Sequence, residues 1–282
     1  MKNEILGIPP VNPVKLGDMT LGDDKLFLIA GPCVIENRRL IIDIAKRVSE
    51  IASRLGIPYI FKSSYDKANR SSLKSFRGPG LEEGIKDLEA LKNEANVPVL
   101  TDIHEVYHAD MVAQVADILQ IPAFLCRQTD LLLAAGKTGR IVNIKKGQFV
   151  APDQMIHPVA KVRSTGNDRI LLTERGASFG YGNLVVDMRS IPIMRRTGCP
   201  VIFDATHSVQ LPGGAGEITG GQREFIFTLA KSAIAAGANG LFIETHPDPE
   251  SALSDSTNML PLYYLEEFLE KILDVFHAVK GG

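Results

Sequence analysis

The sequence has no tryptophan, only three cysteines and no marked excess of either charge among its 282 residues. Cys33, Cys126 and Cys199 are odd in number and widely spaced, which excludes a disulfide framework. Lys and Arg total 31 against 33 Asp and Glu, a net charge of -2. That balance excludes a strongly basic nucleic-acid binder on composition, although a local basic pocket remains open. No apolar run exceeds about a dozen residues, short of the ~20 that span a bilayer, so no membrane segment is expected. The opening MKNEILGIPPVNP carries an acidic residue and prolines where a secretory leader needs an apolar core. A cytoplasmic protein is the expectation. What the chain does have is 45% hydrophobic residues, enough for a sizeable core.

From about Lys25 onward two textures alternate. Short runs rich in Val, Ile, Leu and Phe occur at Leu26–Gly31, Tyr59–Lys62, Val97–Thr101, Asp117–Ile121, Ile141–Lys145, Ile170–Thr173, Val201–Asp204 and Gly240–Glu244. Each is bounded by Gly, Pro or polar residues, as buried parallel strands are. Between them apolar residues recur three and four apart, as in Leu40, Ile41, Ile44, Val48, Ile51 and Leu55. Leu81, Ile85, Leu88 and Leu91 form a second such stripe, and Leu265, Phe268, Leu269, Ile272, Leu273 and Phe276 the last. Two domains would fit a prior of ~150 residues each, but α/β barrels run ~250 residues as one. Eight units of roughly 32 residues favour a closed (β/α)8 TIM barrel over a doubly wound sheet. We expect one domain over 1–282, with residues 1–24 a short N-terminal hairpin or plug.

In such a barrel the chemistry gathers at the carboxyl ends of the strands. The first run is followed by Gly31-Pro32-Cys33, and the second by Lys62 to Ser72 with Ser64, Lys67, Asn69, Arg70 and Ser71. Then come Asp102 and His104, Ala123 with Phe124 and Arg127, Lys145-Lys146, Glu174-Arg175, Asp204 with His207, and Glu244-Thr245-His246. The opposite turns, such as Leu55-Gly56-Ile57-Pro58, lack this chemistry. Convergence of Lys62, Lys67, Arg70, Arg127, Lys145 and Arg175 on one mouth would suit small, multiply anionic substrates. A structural charge network is the competing reading.

Cys33, His207 and Glu244 follow the first, seventh and eighth runs, which adjoin in a closed barrel, and Asp255 lies in the loop after the eighth. A thiolate, an imidazole and two carboxylates suit Zn2+, Fe2+ or Mn2+. Spacing supplies no local CxxC or HExxH motif. Taken alone, Cys33 better describes a small buried apolar residue, and His207 equally describes a hydrogen-bonded core histidine. Gly176–Gly182 and Gly213–Gly221 do not form a dinucleotide fingerprint; the second is expected to be a mobile lid, with a plain connection as the alternative. His104 and Asp102 suit either acid–base or supporting roles. His108, His157 and His277 are expected on helix surfaces.

The stretch Phe61-Lys62-Ser63-Ser64-Tyr65-Asp66-Lys67-Ala68-Asn69-Arg70-Ser71-Ser72, with Arg77-Gly78-Pro79-Gly80, strongly resembles the 3-deoxy-D-manno-octulosonate 8-phosphate synthase family. So do Pro122 to Asp130, Arg175-Gly176-Ala177-Ser178-Phe179-Gly180-Tyr181 and Ile243 to Pro249. The likeness runs from about Leu26 to Leu262. It implies condensation of phosphoenolpyruvate with D-arabinose 5-phosphate and water, releasing phosphate, for lipopolysaccharide synthesis. The alternative is a 3-deoxy-arabino-heptulosonate 7-phosphate synthase using erythrose 4-phosphate. Such enzymes carry KPRTS where this chain has Lys67-Ala68-Asn69-Arg70-Ser71, which argues for the arabinose sugar.

By resemblance, Lys67, Lys145 and Arg175 hold phosphoenolpyruvate, with Ser64, Ala123 and Phe124 nearby. Asn69, Arg70 and Ser71 hold the sugar phosphate, and Arg127 contributes from close to a subunit contact. The resemblance assigns catalytic roles to Lys62, Lys67, Lys145 and His207. Metal-dependent members have Cys where metal-independent ones have Asn, and Cys33, His207, Glu244 and Asp255 match the four metal ligands. A homotetramer is also implied. A Schiff base on Lys62 is unnecessary, because the enol phosphate is already nucleophilic.

Overall fold

The computed structural model describes residues 7–70, 72–215 and 218–280. A hairpin of β1 (Val14–Leu16) and β2 (Met19–Leu21) comes first, turning at Gly17 with φ 56°. There follow β3 (Phe27–Gly31), α1 (Arg38–Arg54), β4 (Tyr59–Lys62), α2 (Leu81–Ala95), β5 (Val99–Asp102) and α3 (His108–Val112). Next are β6 (Ile118–Ile121), α4 (Thr129–Lys137), β7 (Ile141–Lys145), α5 (Ile156–Arg163) and β8 (Ile170–Glu174). A short ribbon of β9 (Ala177–Ser178) and β10 (Leu184–Val185) precedes α6 (Ser190–Arg195) and β11 (Val201–Asp204). A second ribbon, β12 (Gln210–Ala215) with β13 (Ile218–Gly221), precedes α7 (Ile226–Ala235) and β14 (Gly240–His246). The chain closes with β15 (Leu260–Pro261) and α8 (Leu265–Lys280).

Strands β3, β4, β5, β6, β7, β8, β11 and β14 pair in that order, all parallel, and β14 returns to β3 with Gly240 opposite Phe27. This is the expected (β/α)8 barrel. The third strand begins at Val99 rather than Val97, because Pro98 has no N–H to give the ladder. The eighth runs on to His246, where Thr245 and His246 pair with β15. No helix among the described residues is long and apolar enough to cross a membrane.

Side chains of a strand alternate between faces, so each strand feeds two cores. Leu28, Ala30, Phe61, Val99, Leu119, Val142, Leu172, Phe203 and Leu241 pack outward against the helices. Those of β3 and β4 meet the apolar stripe of α1, whose first turn is capped by Asn37 accepting from the Leu40 N–H at 2.9 Å. Phe27, Ile29, Ile60, Leu100, Ile118, Ile141, Leu171, Ile202 and Phe242 fill the barrel's amino half, and Val14, Leu16 and Leu21 of the hairpin join them. The hairpin therefore stoppers this end, as the sequence led us to expect.

One position higher in the same inward series stand Lys62, Asp102, Gln120, Asn143, Thr173, Asp204 and Glu244, with Lys145 one further along β7, all buried. The barrel is thus apolar below and ionic above. Where β3 and β4 approach, a side chain on Gly31 would place its Cβ 2.1 Å from the Lys62 carbonyl oxygen. Only glycine fits there, just before Cys33.

Candidate active site at the carboxyl end of the barrel

Buried polar groups must pair, and here they do so in a relay around the wall. Thr173 donates to Asn143 Oδ1 at 2.8 Å, and Asn143 donates to Gln120 Oε1 at 2.9 Å. Gln120 donates to Asp102 Oδ1, and Ser64 donates to Asp102 Oδ2. The relay joins β8, β7, β6 and β5 to the loop after β4.

Four of the expected cations are gathered at this mouth by carboxylates. Lys62, 1% exposed, donates to Glu244 Oε1 at 3.1 Å and to the Cys33 carbonyl at 3.2 Å. Lys67 Nζ lies 3.7 Å from the same Glu244 oxygen. Lys145 Nζ is 2.6 Å from Asp204 Oδ2 and 4.0 Å from the centre of the Phe242 ring. Arg70 donates to Asp255 Oδ1 at 3.2 Å and to Ser254 Oγ. Arg175 joins through Gln210 Oε1 at 2.6 Å; among the described residues its buried Nη1 has no hydrogen-bond partner, nor has Arg70 Nε. Unmet guanidinium donors in a polar mouth are what an anionic ligand completes.

Beside this network Cys33 Sγ, a Glu244 oxygen and an Asp255 oxygen lie within 4.8 Å of one another. The thiol donates to Asp255 Oδ2 at 3.2 Å and sits 2.8 Å from Ser254 Oγ. Asp255 holds a left-handed backbone, φ 49°. His207 Nε2 stands 3.5 Å from Glu244 Oε1 and 3.9 Å from Asp255 Oδ2, while its Nδ1 lies 2.8 Å from Asp204 Oδ2.

Burial alone would push the carboxylates up, but their neighbours prevail. His207 and the lysines hold Glu244 well below the usual range, and His207 with Lys145 does the same for Asp204. Asp102 is held down by Lys62, Lys67 and His104 against its burial. Asp255 is raised by burial and by Glu244, yet Lys67, His207 and Arg70 bring it below the ordinary value. Cys33 goes the other way: burial, then Asp255 and Glu244, raise its thiol. Burial lowers Lys145 and Arg175. A neutral thiol pressed against two carboxylates is an arrangement that a divalent cation would relieve.

Of the other expected residues, Ala123 and Phe124 sit in a single turn after β6, with Phe124 53% exposed. Arg127 and Asn69 are exposed, and neither shares a hydrogen bond or ion pair with the cluster among the described residues. The predicted convergence of six cations thus holds without Arg127. Ser71 lies outside the described residues, as do Gly216 and Glu217 of the expected lid, whose flanks pair as β12 and β13. His157 and His277 are exposed as expected, but His108 is not. Tyr65 OH lies 2.9 Å from its Nδ1 in a buried contact, because the five-residue α3 turns this side chain inward beneath the β4–α2 loop. Ser254 and Gln210 carried no sequence signal. Gln120, Asn143 and Thr173 did, as polar residues at inward positions of otherwise apolar runs.

The family described as DAHP synthetase I matches residues 10–280. Similar curated proteins include the 2-dehydro-3-deoxyphosphooctonate aldolase of Syntrophotalea carbinolica, 56% identical over 270 residues, 95% of this chain and 98% of the relative. The protein of that name from Acidithiobacillus ferrooxidans is 58% identical over 255 residues, 90% of this chain and 91% of its own length. That from Xanthomonas euvesicatoria pv. vesicatoria is 59% identical over 268 residues, covering 95% and 97%. With a barrel closed at one end and an ionic mouth at the other, and with this match along nearly its whole length, the chain belongs to the DAHP synthetase I family.

Proposed function

We propose that the chain carries out the reaction for which its relatives are named, joining phosphoenolpyruvate to D-arabinose 5-phosphate. The observation that carries this reading is the buried mouth, where Lys67, Lys145 and Arg175 stand together in a chain 56–59% identical to 2-dehydro-3-deoxyphosphooctonate aldolases.

C3 of the enol phosphate attacks C1 of the sugar aldehyde, forming the new C–C bond, and the aldehyde oxygen takes up a proton. Water adds to C2. The C2–O bond to phosphate then breaks, the hydroxyl proton leaves, and the ketone and inorganic phosphate result. Two phosphates and a carboxylate repel each other in water. Lys67, Lys145 and Arg175 offset that charge for phosphoenolpyruvate, and Arg70 with Asn69 and Ser71 for the sugar phosphate. Low dielectric beneath the mouth strengthens each of these contacts. Ser64, Ala123 and Phe124 line the approach, Arg127 completes it near a subunit contact, and Lys62 holds Glu244 in place.

Cys33, His207, Glu244 and Asp255 would hold a divalent cation, Zn2+, Fe2+ or Mn2+. Their fit is supported by the donor set and by the spacing of three of them: ligand atoms of Cys33, Glu244 and Asp255 lie within 4.8 Å of one another, with His207 Nε2 3.5 Å from Glu244 and 3.9 Å from Asp255. Bound there, the ion supplies a Lewis acid for the aldehyde oxygen or the attacking water. A homotetramer in the cytoplasm completes the proposal; the apolar Ile121–Leu125 stretch with its exposed Phe124 supports a subunit contact.

Phosphate release is measured with phosphoenolpyruvate plus either arabinose 5-phosphate or erythrose 4-phosphate, with and without chelator. Release with the arabinose sugar alone, abolished by chelation and restored by Mn2+ or Zn2+, is expected. Preference for erythrose 4-phosphate would overturn the substrate, and activity surviving exhaustive chelation would overturn the metal alone. Light scattering tests the tetramer.

A further inference from the structure

Between β4 and α2 lie eighteen residues, 63–80, that form no helix or strand among those described, yet they carry Ser64, Lys67, Asn69 and Arg70. An irregular segment that long samples many conformations unless it is pinned, and misplaced cations lose most of their effect. One pin is the Ser64–Asp102 hydrogen bond. A second is Tyr65, 1% exposed, whose carbonyl accepts from the Gly80 N–H at 3.1 Å and so closes the loop's two ends on each other. Helix α2 lies flush on this residue: a Cβ at Gly84 would fall 2.2 Å from the Tyr65 Cβ.

The Tyr65 ring meets His104 and His108 edge-on, at 5.6 and 5.8 Å between centres, and Tyr107 covers His108 from the far side at 4.4 Å. The His104 N–H also points at His108 Nδ1, 3.5 Å away. Because a backbone N–H can only donate, this contact makes Nδ1 the acceptor, the tautomer in which the Tyr65 hydroxyl donates to it. Burial lowers the His108 pKa, in keeping with this.

We infer that Tyr65 and His108 are positioning residues, whose buried hydrogen bond fixes the β4–α2 loop to the start of α3 so that Arg70 faces the phosphorylated sugar. The inference rests on the reaction proposed above. A purely packing role would be served by two apolar side chains, whereas a buried hydrogen bond adds direction. The pin joins the two loops next to where Ser64 already reaches Asp102, so loop and wall are held at consecutive residues.

The test compares Tyr65→Phe, His108→Ala and His108→Asn in the full chain loaded with Mn2+. The Asn oxygen stands where Nδ1 accepts, and so retains the bond. For Tyr65→Phe and His108→Ala, KM for arabinose 5-phosphate should rise about fivefold or more, with kcat changed less than about threefold. His108→Asn should return to near wild type. Tryptic cleavage within residues 67–77, followed by mass spectrometry without substrate, should accelerate in the first two variants and not in the third. Unchanged KM and cleavage in Tyr65→Phe and His108→Ala would overturn the inference, as would His108→Asn behaving like His108→Ala. Should Tyr65→Phe not fold, the two His108 variants decide. Wild-type protein that releases no phosphate would sink the proposed reaction, while the cleavage rates would still decide whether the pin exists.

Discussion

Lys145 and Asp204 form a buried ion pair, with Nζ 2.6 Å from Oδ2 and the carboxylate 0% exposed. The same oxygen lies 2.8 Å from His207 Nδ1, and Asp204 Oδ1 accepts from the His207 N–H at 2.9 Å. One carboxylate therefore orients a proposed substrate-binding lysine and turns the His207 Nε2 toward Glu244 and Asp255.

Asp204→Asn should act on both. It leaves Lys145 buried beside a neutral amide, and breaking such a pair costs about 3–5 kcal/mol. It also frees His207 to rotate, which in metal sites lowers affinity or activity about 10–100-fold. Urea unfolding, metal content and kcat/KM measure these in turn. A stability change under about 1 kcal/mol would put the pair on a par with exposed ones.

Acid should unfold the protein through the same groups. Asp102, Asp204 and Glu244 have folded-state values below those of the unfolded chain. Their contribution is fully present above the ordinary carboxylate value of about 4 and is lost as pH falls below it. Urea midpoints should decline gently below about 6.5, as His104 and His108, whose values burial lowers, take up protons on unfolding, and drop steeply below about 4. Asp102→Asn should show a shallower drop; an unchanged slope would remove Asp102 from the account.

Cys33→Asn should relax the need for a cation. The amide replaces the thiol beside Ser254 and Asp255 without offering a strong ligand. Phosphate release by this variant is expected to persist in chelator, about tenfold or more below the loaded wild type. Complete inactivity with an intact melting curve would count against it.

Leu21→Ala probes the stoppered end alone. Leu21 is fully buried in the lower core, so the variant should lose about 2–5 kcal/mol in urea unfolding. Its kcat/KM should stay within about twofold of wild type, since the apolar layer of the lower core lies between hairpin and mouth. A large kinetic loss would mean that the two ends are coupled.

The strands were legible because buried parallel strands are continuous apolar runs, and the mouth because polar residues followed each run on one side only. Pairing was not legible. Lys62 meets Glu244 across 182 positions and Cys33 meets Asp255 across 222, and no local pattern encodes such partners. The carboxylates Asp102 and Asp204 were visible at strand ends, but their neutralising of the cations was not. His108 was misread because a five-residue helix is too short for periodicity to show which face it buries.

The hairpin at the amino end makes the chamber a cul-de-sac. Whatever is made inside must leave by the doorway through which the next molecules arrive, so filling and emptying take turns. Under the proposed reaction, the phosphate released would pass the same guanidinium groups that are assigned to the incoming sugar phosphate.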